Sequence, residues 1–223
     1  MISVLTWTHN WQDMLDKTIP GWLMQQDVDF EIIIGHSSAI VIPTHPKIKG
    51  VLIEGKGKCA AYNKLIDAAS GDLLLLTQID MQVNSKTQLK RMLDKWEPGV
   101  AVTERFFNID RRVNGIFLQC MLVEKSRVEL AGKCCEDYDA PSMYAYEDSD
   151  LSASLQETGV RIVSIDTPME DGVYHLPHKK VDLSDPVIQG RMKNAHDLYY
   201  RRHKETVGMN FIRSQVKYLT RGK

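Results

Sequence analysis

Long hydrophobic runs are missing from this 223-residue chain. No apolar stretch approaches the roughly 18 residues that a membrane-spanning helix needs, so no transmembrane segment is expected. The N-terminus opens directly into a strand-like segment, with no charged leader ahead of a greasy stretch, and no secretory signal is expected either. Cysteine is scarce: Cys59, Cys120 and the adjacent Cys134 and Cys135 form no CxxC pair, which argues against a zinc ribbon or redox motif. Reduced, packed thiols and a cytoplasmic location are the expectation. The formal net charge of -1 says nothing about partners by itself. Internal repeats, low-complexity stretches and a clear linker are absent as well.

What is present is ordinary globular material, with 43% hydrophobic and 26% charged residues. This is enough for one α/β domain with a C-terminal appendage. Apolar runs at residues 2–6, 30–35, 50–54 and 72–77 read as strands; 30–35 is β-branched in the manner of a buried parallel strand, 50–54 repeats that pattern, and 72–77 is the most hydrophobic. Between them, helical spacing predicts helices over 11–25, with Pro20 set to kink or split the first, and over 59–69 and 85–96. Further strands are predicted at 115–124 and 161–165, a helix at 150–158, and a helical region from Pro186 onward. Such alternation predicts a mostly parallel sheet covered by helices on both faces, with ligands gathering beyond the carboxyl ends of the strands. His36 and Asp80 both fall at predicted strand ends. The charge is unevenly spread: from Gln189 to Lys223 nine basic residues face only Asp197 and Glu205, an excess of about seven positive charges.

Three segments carry chemistry. Asp80 ends the most hydrophobic strand, where a carboxylate is costly unless it binds something. A divalent cation holding a diphosphate is one partner, because Mg²⁺ or Mn²⁺ needs only one or two protein carboxylates; capping of the following turn is the other reading. Glu147, Asp148 and Asp150 are three carboxylates in four residues at a helix start. They serve either the helix dipole or, in one of them, a base that removes a proton from an acceptor hydroxyl. Glu54-Gly-Lys-Gly-Lys58 precedes a helix containing Asn63. It is not a P-loop, since G-x-x-x-x-G-K-[ST] is absent. It is either a solvated turn or a place where lysine and exposed amides steer a diphosphate.

The order of these pieces says more than any one of them. Thr8-His9-Asn10 after the first strand resembles the T-Y-N of family 2 glycosyltransferases, which have the GT-A fold. Residues 30–34 resemble that family's second strand, and Ala60-Ala-Tyr-Asn63 its A-A-R-N segment. Ala69-Ser-Gly-Asp72 stands in place of A-x-G-[DE], and Gln78-Ile-Asp80 falls where the family carries D-x-D. Ala131-Gly132, then Glu147-Asp-Ser-Asp-Leu151 and Gly159, are similar to its G-[GF]-D, E-D-x-D-L and final glycine. The resemblance spans about residues 2 to 165. It implies a GT-A (nucleotide-diphospho-sugar transferase, Rossmann-like) three-layer α/β sandwich over 1–185, with a basic helical extension over 186–223.

It also implies a chemistry. Asp80 would bind Mn²⁺ or Mg²⁺ on the donor diphosphate, with His175 or His178 as a further ligand. Asp148 would be the catalytic base, with Glu147 beside it, in an inverting, hexosyltransferase-type reaction. Thr8, Asn10, His36, Lys58, Asn63 and Gln78 are the expected contacts to a nucleotide-sugar donor, a UDP-sugar ahead of a GDP-sugar. The acceptor hydroxyl would belong to a glycan, a lipid-linked or small molecule, or a nucleic acid. The chain departs from the pattern at Gly35-His36, where the family has a strand-end Asp, at Gln78 for the first Asp of D-x-D, and at Tyr62 for the Arg. These departures leave the nucleotide open. Nucleotidyl transfer on the same fold would need a glycine-rich basic loop after the first strand, and Thr6-Trp-Thr-His-Asn10 lacks one. The alternative from another class is a non-catalytic module whose basic tail meets nucleic acid or an anionic membrane. Tyr199, Tyr200 and Tyr218 suit base stacking or helix packing in that tail, and Phe211, Ile212, Val216 and Leu219 suit an interfacial helix.

Overall fold

A computed structural model describes residues 1–55, 57–104, 107–108, 111–112, 120–165, 172–176 and 182–220, the side chains of 107–108, 111–112, 174–175 and 205–220 excepted. The first half alternates β1 (Ile2–Thr8), α1 (Gln12–Leu23), β2 (Phe30–His36), β3 (Ile48–Leu52), α2 (Lys58–Ala68) and β4 (Leu73–Thr77). There follow β5 (Met81–Val83), α3 (Gln88–Leu93), β6 (Val100–Glu104), the short pair β7 (Phe107–Asn108) and β8 (Arg111–Arg112), and β9 (Cys120–Glu124). The second half holds α4 (Lys125–Leu130), a 3₁₀ turn at Glu136–Asp139, α5 (Glu147–Glu157), β10 (Arg161–Ile165), β11 (Val173–His175) and α6 (Pro186–Thr220).

Seven strands form one sheet in the order β10-β6-β9-β4-β1-β2-β3. Neighbours run parallel except where β9 meets β4 and β6. The expected mostly parallel sheet is therefore present, and its centre is the pair β1 and β4. Strand alternation divides their apolar side chains between two cores. Val4, Ile32, Ile34 and Leu75 pack with Leu15, Ile19 and Trp22 of α1 on one face. Leu5, Ile33, Leu74 and Leu76 pack with Tyr62, Leu65 and Ile66 of α2 and with Leu151 and Leu155 of α5 on the other. This gives the three layers. Each fully buried Leu or Ile contributes about 1.5–3 kcal/mol of transfer free energy, so the five buried residues of β4 anchor whatever follows them.

Several boundaries differ from the sequence expectation, for identifiable reasons. Helix α1 runs through Pro20 unsplit, and Gly21 explains the fit. A Cβ there would stand 2.4 Å from the Val83 carbonyl oxygen, so the helix lies directly on β5. Strand β3 starts two residues early, at Ile48, in register with Ile32. Helix α3 is shorter than predicted because residues 85–87 turn back on the Ser85 hydroxyl, which accepts from the Thr87 N–H at 3.2 Å. Helix α5 starts at Glu147 rather than at 150, after Ala145 and Tyr146 in the left-handed region at φ 65° and 72°. Strand β6, helix α4 and the β5–β11 ladder have no counterpart in the sequence reading.

The long α6 changes direction at His203, whose φ of -123° and ψ of 23° are non-helical. Its N-terminal part joins the second core through Ala195 and Leu198. Among the described residues, no helix is long and apolar enough to cross a membrane.

Candidate active site

The buried leucines of β4 end in Thr77, and the chain then turns through Gln78, Ile79 and Asp80, closed by a bond from the Met81 N–H to the Gln78 carbonyl at 3.2 Å. The Leu176 N–H donates to the Asp80 carbonyl at 2.8 Å, so the β5–β11 ladder fixes the backbone of Asp80. Asp80 itself is 2% exposed. Beside it, β1 ends in the loop of Trp7 to Trp11, where Thr8 Oγ1 accepts from the Trp11 N–H at 3.2 Å. The two strand ends and one face of α2 enclose a cleft of about 260 Å³ lined by Trp7, Thr8, His9, Asn10, Trp11, Lys58, Tyr62 and residues 78–80. It opens where the parallel strands β1 and β4 end, the position expected for a ligand in such a sheet.

Tyr62 forms the floor. Its hydroxyl donates to the Thr77 carbonyl at 2.5 Å, and burial pushes its pKa up, so it stays a neutral donor. Lys58 reaches from this cleft to the start of α5. Its ammonium lies 2.8 Å from Glu147 Oε1 and 3.2 Å from Asp148 Oδ1. Burial alone would lower the Lys58 pKa, but the Asp148 and Glu147 carboxylates outweigh it and hold the ammonium charged. Conversely, burial would raise the Glu147 carboxyl, and Lys58 outweighs that and holds it below its usual value. One side chain thus joins the Asp80 cleft to the acidic start of α5, 90 residues along the chain.

The expected site residues divide. Thr8, Asn10, Lys58, Gln78 and Asp80 line one cleft, and Glu147 and Asp148 are tied to it through Lys58. His36 and Asn63 are not among the lining residues. His36 Nδ1 pairs with the Ser37 carbonyl at 2.9 Å, and its ring lies over Gly50. The Asn63 amide holds the loop before the 3₁₀ turn, donating to the Cys134 carbonyl and Glu136 at 3.0 Å and accepting from the Cys134 N–H at 2.9 Å. His175 pairs with Met81 along the backbone, next to the Asp80 bond, and its side chain lies outside the described residues, as does all of His178. The amides at the start of α2 are also engaged. Asp139 accepts from the Cys59 and Ala60 N–H groups at 2.9 and 2.8 Å, and among the described residues of the Glu54–Lys58 segment it is Lys58 that lines the cleft.

The third acidic residue of the α5 start is elsewhere. Asp150 is fully buried and accepts from Tyr138 Oη at 3.1 Å, Arg202 Nε at 2.7 Å and His203 Nε2 at 2.9 Å. The other ring nitrogen of His203 is 2.9 Å from Glu157. This network clamps α6 onto α5. In the tail, Tyr199 packs between Tyr146 and His203, with ring centroids 5.8 and 5.1 Å away.

Residues that the sequence reading assigned no role are the cleft's aromatics. Trp7 and Trp11 bracket the Thr8-His-Asn10 segment, and two of the chain's four tryptophans only four positions apart were the available signal. The Trp7 indole nitrogen is buried with no hydrogen-bond partner among the described residues. No group of three or more His, Cys, Asp or Glu gathers as a metal cage among those residues. Asp80 as a single carboxylate instead suits a hard cation that keeps water and phosphate oxygens for its remaining positions.

No protein-family model matches the chain, and no curated protein matches it by sequence. Solved structures do. A mannosyltransferase, PcManGT from Pyrobaculum calidifontis, in complex with GDP-Man and Mn²⁺, aligns at TM-score 0.60 and 18% identity, over 79% of this chain and 56% of that one. TarS of S. aureus aligns at 0.61 and 12%, over 79% of this chain and 36% of that one. TarS 1-349 in complex with UDP-GlcNAc aligns at 0.60 and 14%, over 82% and 60%. The chain therefore spans between about a third and three fifths of these proteins, and what it shares with them is architecture: it is built on a GT-A-like glycosyltransferase fold.

Proposed function

We propose that this protein is a divalent-metal-dependent, inverting glycosyltransferase of the family 2 type, moving a sugar from a nucleoside-diphosphate donor to an acceptor hydroxyl. The observation that carries this is the bridge of Lys58 from the Asp80 cleft to Glu147 and Asp148. Solved structures of this fold that hold GDP-Man with Mn²⁺, or UDP-GlcNAc, support a nucleotide-sugar as the occupant. The cleft's electrostatics support a cation. Among the described residues, Asp80 in the cleft and Glu147 and Asp148 beside it outnumber Lys58, so a diphosphate entering alone meets net negative charge in a partly desolvated place.

In this reading Asp80 would hold a Mn²⁺ or Mg²⁺ ion, which would supply Lewis-acid stabilisation of the departing nucleoside diphosphate. Trp7, His9 and Trp11 offer flat faces to the nucleoside, and Thr8 holds their loop. Asp148, with its side chain 12% exposed, takes the proton of the acceptor hydroxyl as that oxygen attacks the anomeric carbon. The bond from that carbon to the diphosphate oxygen breaks on the opposite side, which inverts the configuration. Glu147, 2.8 Å from the Lys58 ammonium, helps to keep that lysine charged.

The test is a thermal-shift panel of nucleoside diphosphates and nucleotide sugars, each with and without Mn²⁺. A ligand at about a hundred times its Kd adds roughly 2.7 kcal/mol, which moves the midpoint of a domain this size by about 5–10 °C. A metal-dependent shift for one base class supports the reading. No shift with any nucleotide in Mn²⁺ refutes it.

A further inference from the structure

An ammonium ion held against a carboxylate favours its ionised form and so weakens it as a base, and Asp148 has the Lys58 ammonium against one of its oxygens. The Lys58 ammonium sits 3.2 Å from Asp148 Oδ1 and 2.8 Å from Glu147 Oε1. The same side chain lines the cleft that Asp80 enters, where it is the one lysine or arginine among the described lining residues. It starts α2, whose first amides are held by Asp139, so the helix is anchored while the flexible four-carbon stem carries the charge. A diphosphate placed in that cleft competes with the two carboxylates for this ammonium. The stem needs only a change of rotamer to answer, a motion of picoseconds to nanoseconds.

We propose that Lys58 is a donor-operated latch. In the free protein it holds Glu147 and Asp148, and it passes to the donor's diphosphate when the nucleotide-sugar binds, releasing Asp148 to act as the base. The latch rests on the donor reading above and adds to it an order of events: donor first, then a competent base. Lys58 is a positioning residue in the free state and a diphosphate ligand in the loaded one. Glu147 is the second anchor, to which the ammonium returns when the nucleoside diphosphate leaves.

A double-mutant cycle read by calorimetry of UDP and of GDP, each with Mn²⁺, tests this. The paired change Glu147→Gln and Asp148→Asn removes the latch's anchors while keeping their shape. It is expected to tighten nucleoside diphosphate binding about tenfold when Lys58 is present, and less than about twofold in the Lys58→Met background. Equal tightening in both backgrounds means the carboxylates act by charge alone, and no tightening with Lys58 present means they do not hold it; either result overturns the latch. Lys58→Met strands two partly buried carboxylates and risks the fold, so a second measurement stands beside the cycle. In protein with ¹⁵N-labelled lysine, the ζ-ammonium signal lost in Lys58→Arg is expected to shift on saturation with UDP or GDP and Mg²⁺. A signal that stays in place while the nucleotide binds refutes the transfer. Binding that is indifferent to the cycle sinks the latch and spares the donor reading, whereas failure of both nucleotides to bind the unaltered protein sinks the donor reading and the latch with it.

Discussion

Asp150→Asn is expected to unfasten α6 from the rest of the protein. The wild-type carboxylate is fully buried and receives donors from Tyr138, Arg202 and His203 at 2.7–3.3 Å. Asparagine keeps the shape, but it removes the charge that offsets Arg202 and turns one acceptor into a donor facing other donors. Removing one partner of a buried ion pair costs about 3–5 kcal/mol. The Arg202 side chain is 37% exposed and regains some water, which places this case at the lower end, about 3 kcal/mol. For a domain of this length that corresponds to a fall of roughly 6–12 °C in Tm. Thermal unfolding gives the total, and hydrogen exchange gives its location: protection should fall first in residues 186–204, ahead of β1 and β4. A Tm within about 2 °C of wild type, or exchange that rises evenly over the whole chain, refutes the clamp. Nucleotide binding should survive at temperatures where the variant is folded, because Asp150 does not line the Asp80 cleft.

Other changes test the cleft. Asp148→Asn should lower kcat by about 10²–10⁴-fold, the usual worth of a general base, and leave the sugar-donor Kd within a few-fold by calorimetry; near-normal turnover would eliminate this base. Asp80→Ala should abolish the Mn²⁺-dependent part of nucleotide binding while leaving the metal-free part unchanged, as read by titrations with and without chelator. Glu147 has a folded-state pKa held below its ordinary 4.5, so its pairing stabilises the protein above that pH and is lost as pH falls through the lowered value. Glu147→Gln should therefore flatten the stability curve below about pH 4.5 in urea titrations, with no change of slope near neutrality. Gly57→Ala places a methyl 2.2 Å from the Asp139 carboxyl carbon and should cost stability by pushing that cap off α2, a loss of roughly 1–2 kcal/mol measurable by the same titrations.

How legible the molecule was in its sequence depended on whether a residue's fate is decided nearby. Strands β1, β2 and β4 lie deep in a mostly parallel sheet and are apolar on both faces, so their runs of Ile, Val and Leu announce them. Strand β6 is equally buried, yet it ends in Thr103 and Glu104, whose burial depends on distant partners such as Gln88, which donates to Glu104 at 2.5 Å. The three-residue strands β5 and β11 are too short to show a period, and they exist because they pair with each other. Asp80 was readable because a carboxylate ending a hydrophobic strand is anomalous by itself. The displacement of phosphate-binding amides by Asp139, 80 residues from Cys59, leaves no local mark at all.

The acidic start of α5 shows where closer geometry would have read further. Glu147, Asp148 and Asp150 look like one cluster in the sequence, but a helix advances about 100° per residue. On that wheel Asp148 and Asp150 point about 160° apart, too far to serve one site, with Glu147 between them. The structure follows the wheel: Asp148 and Glu147 meet Lys58, while Asp150 turns inward to Tyr138 and α6. The wheel applies only once α5 is known to start at Glu147, and that start depends on Tyr146 accepting a left-handed φ of 72°, which nothing in its side chain advertises. A turn that unfavourable is held by its surroundings, here the ring contacts of Tyr146 with His196 and Tyr199 of α6. The clamp at Asp150 keeps α6 in place for those contacts. The position of Asp148 against Lys58 is therefore set in part from the opposite side of its own helix, through a network that touches no ligand.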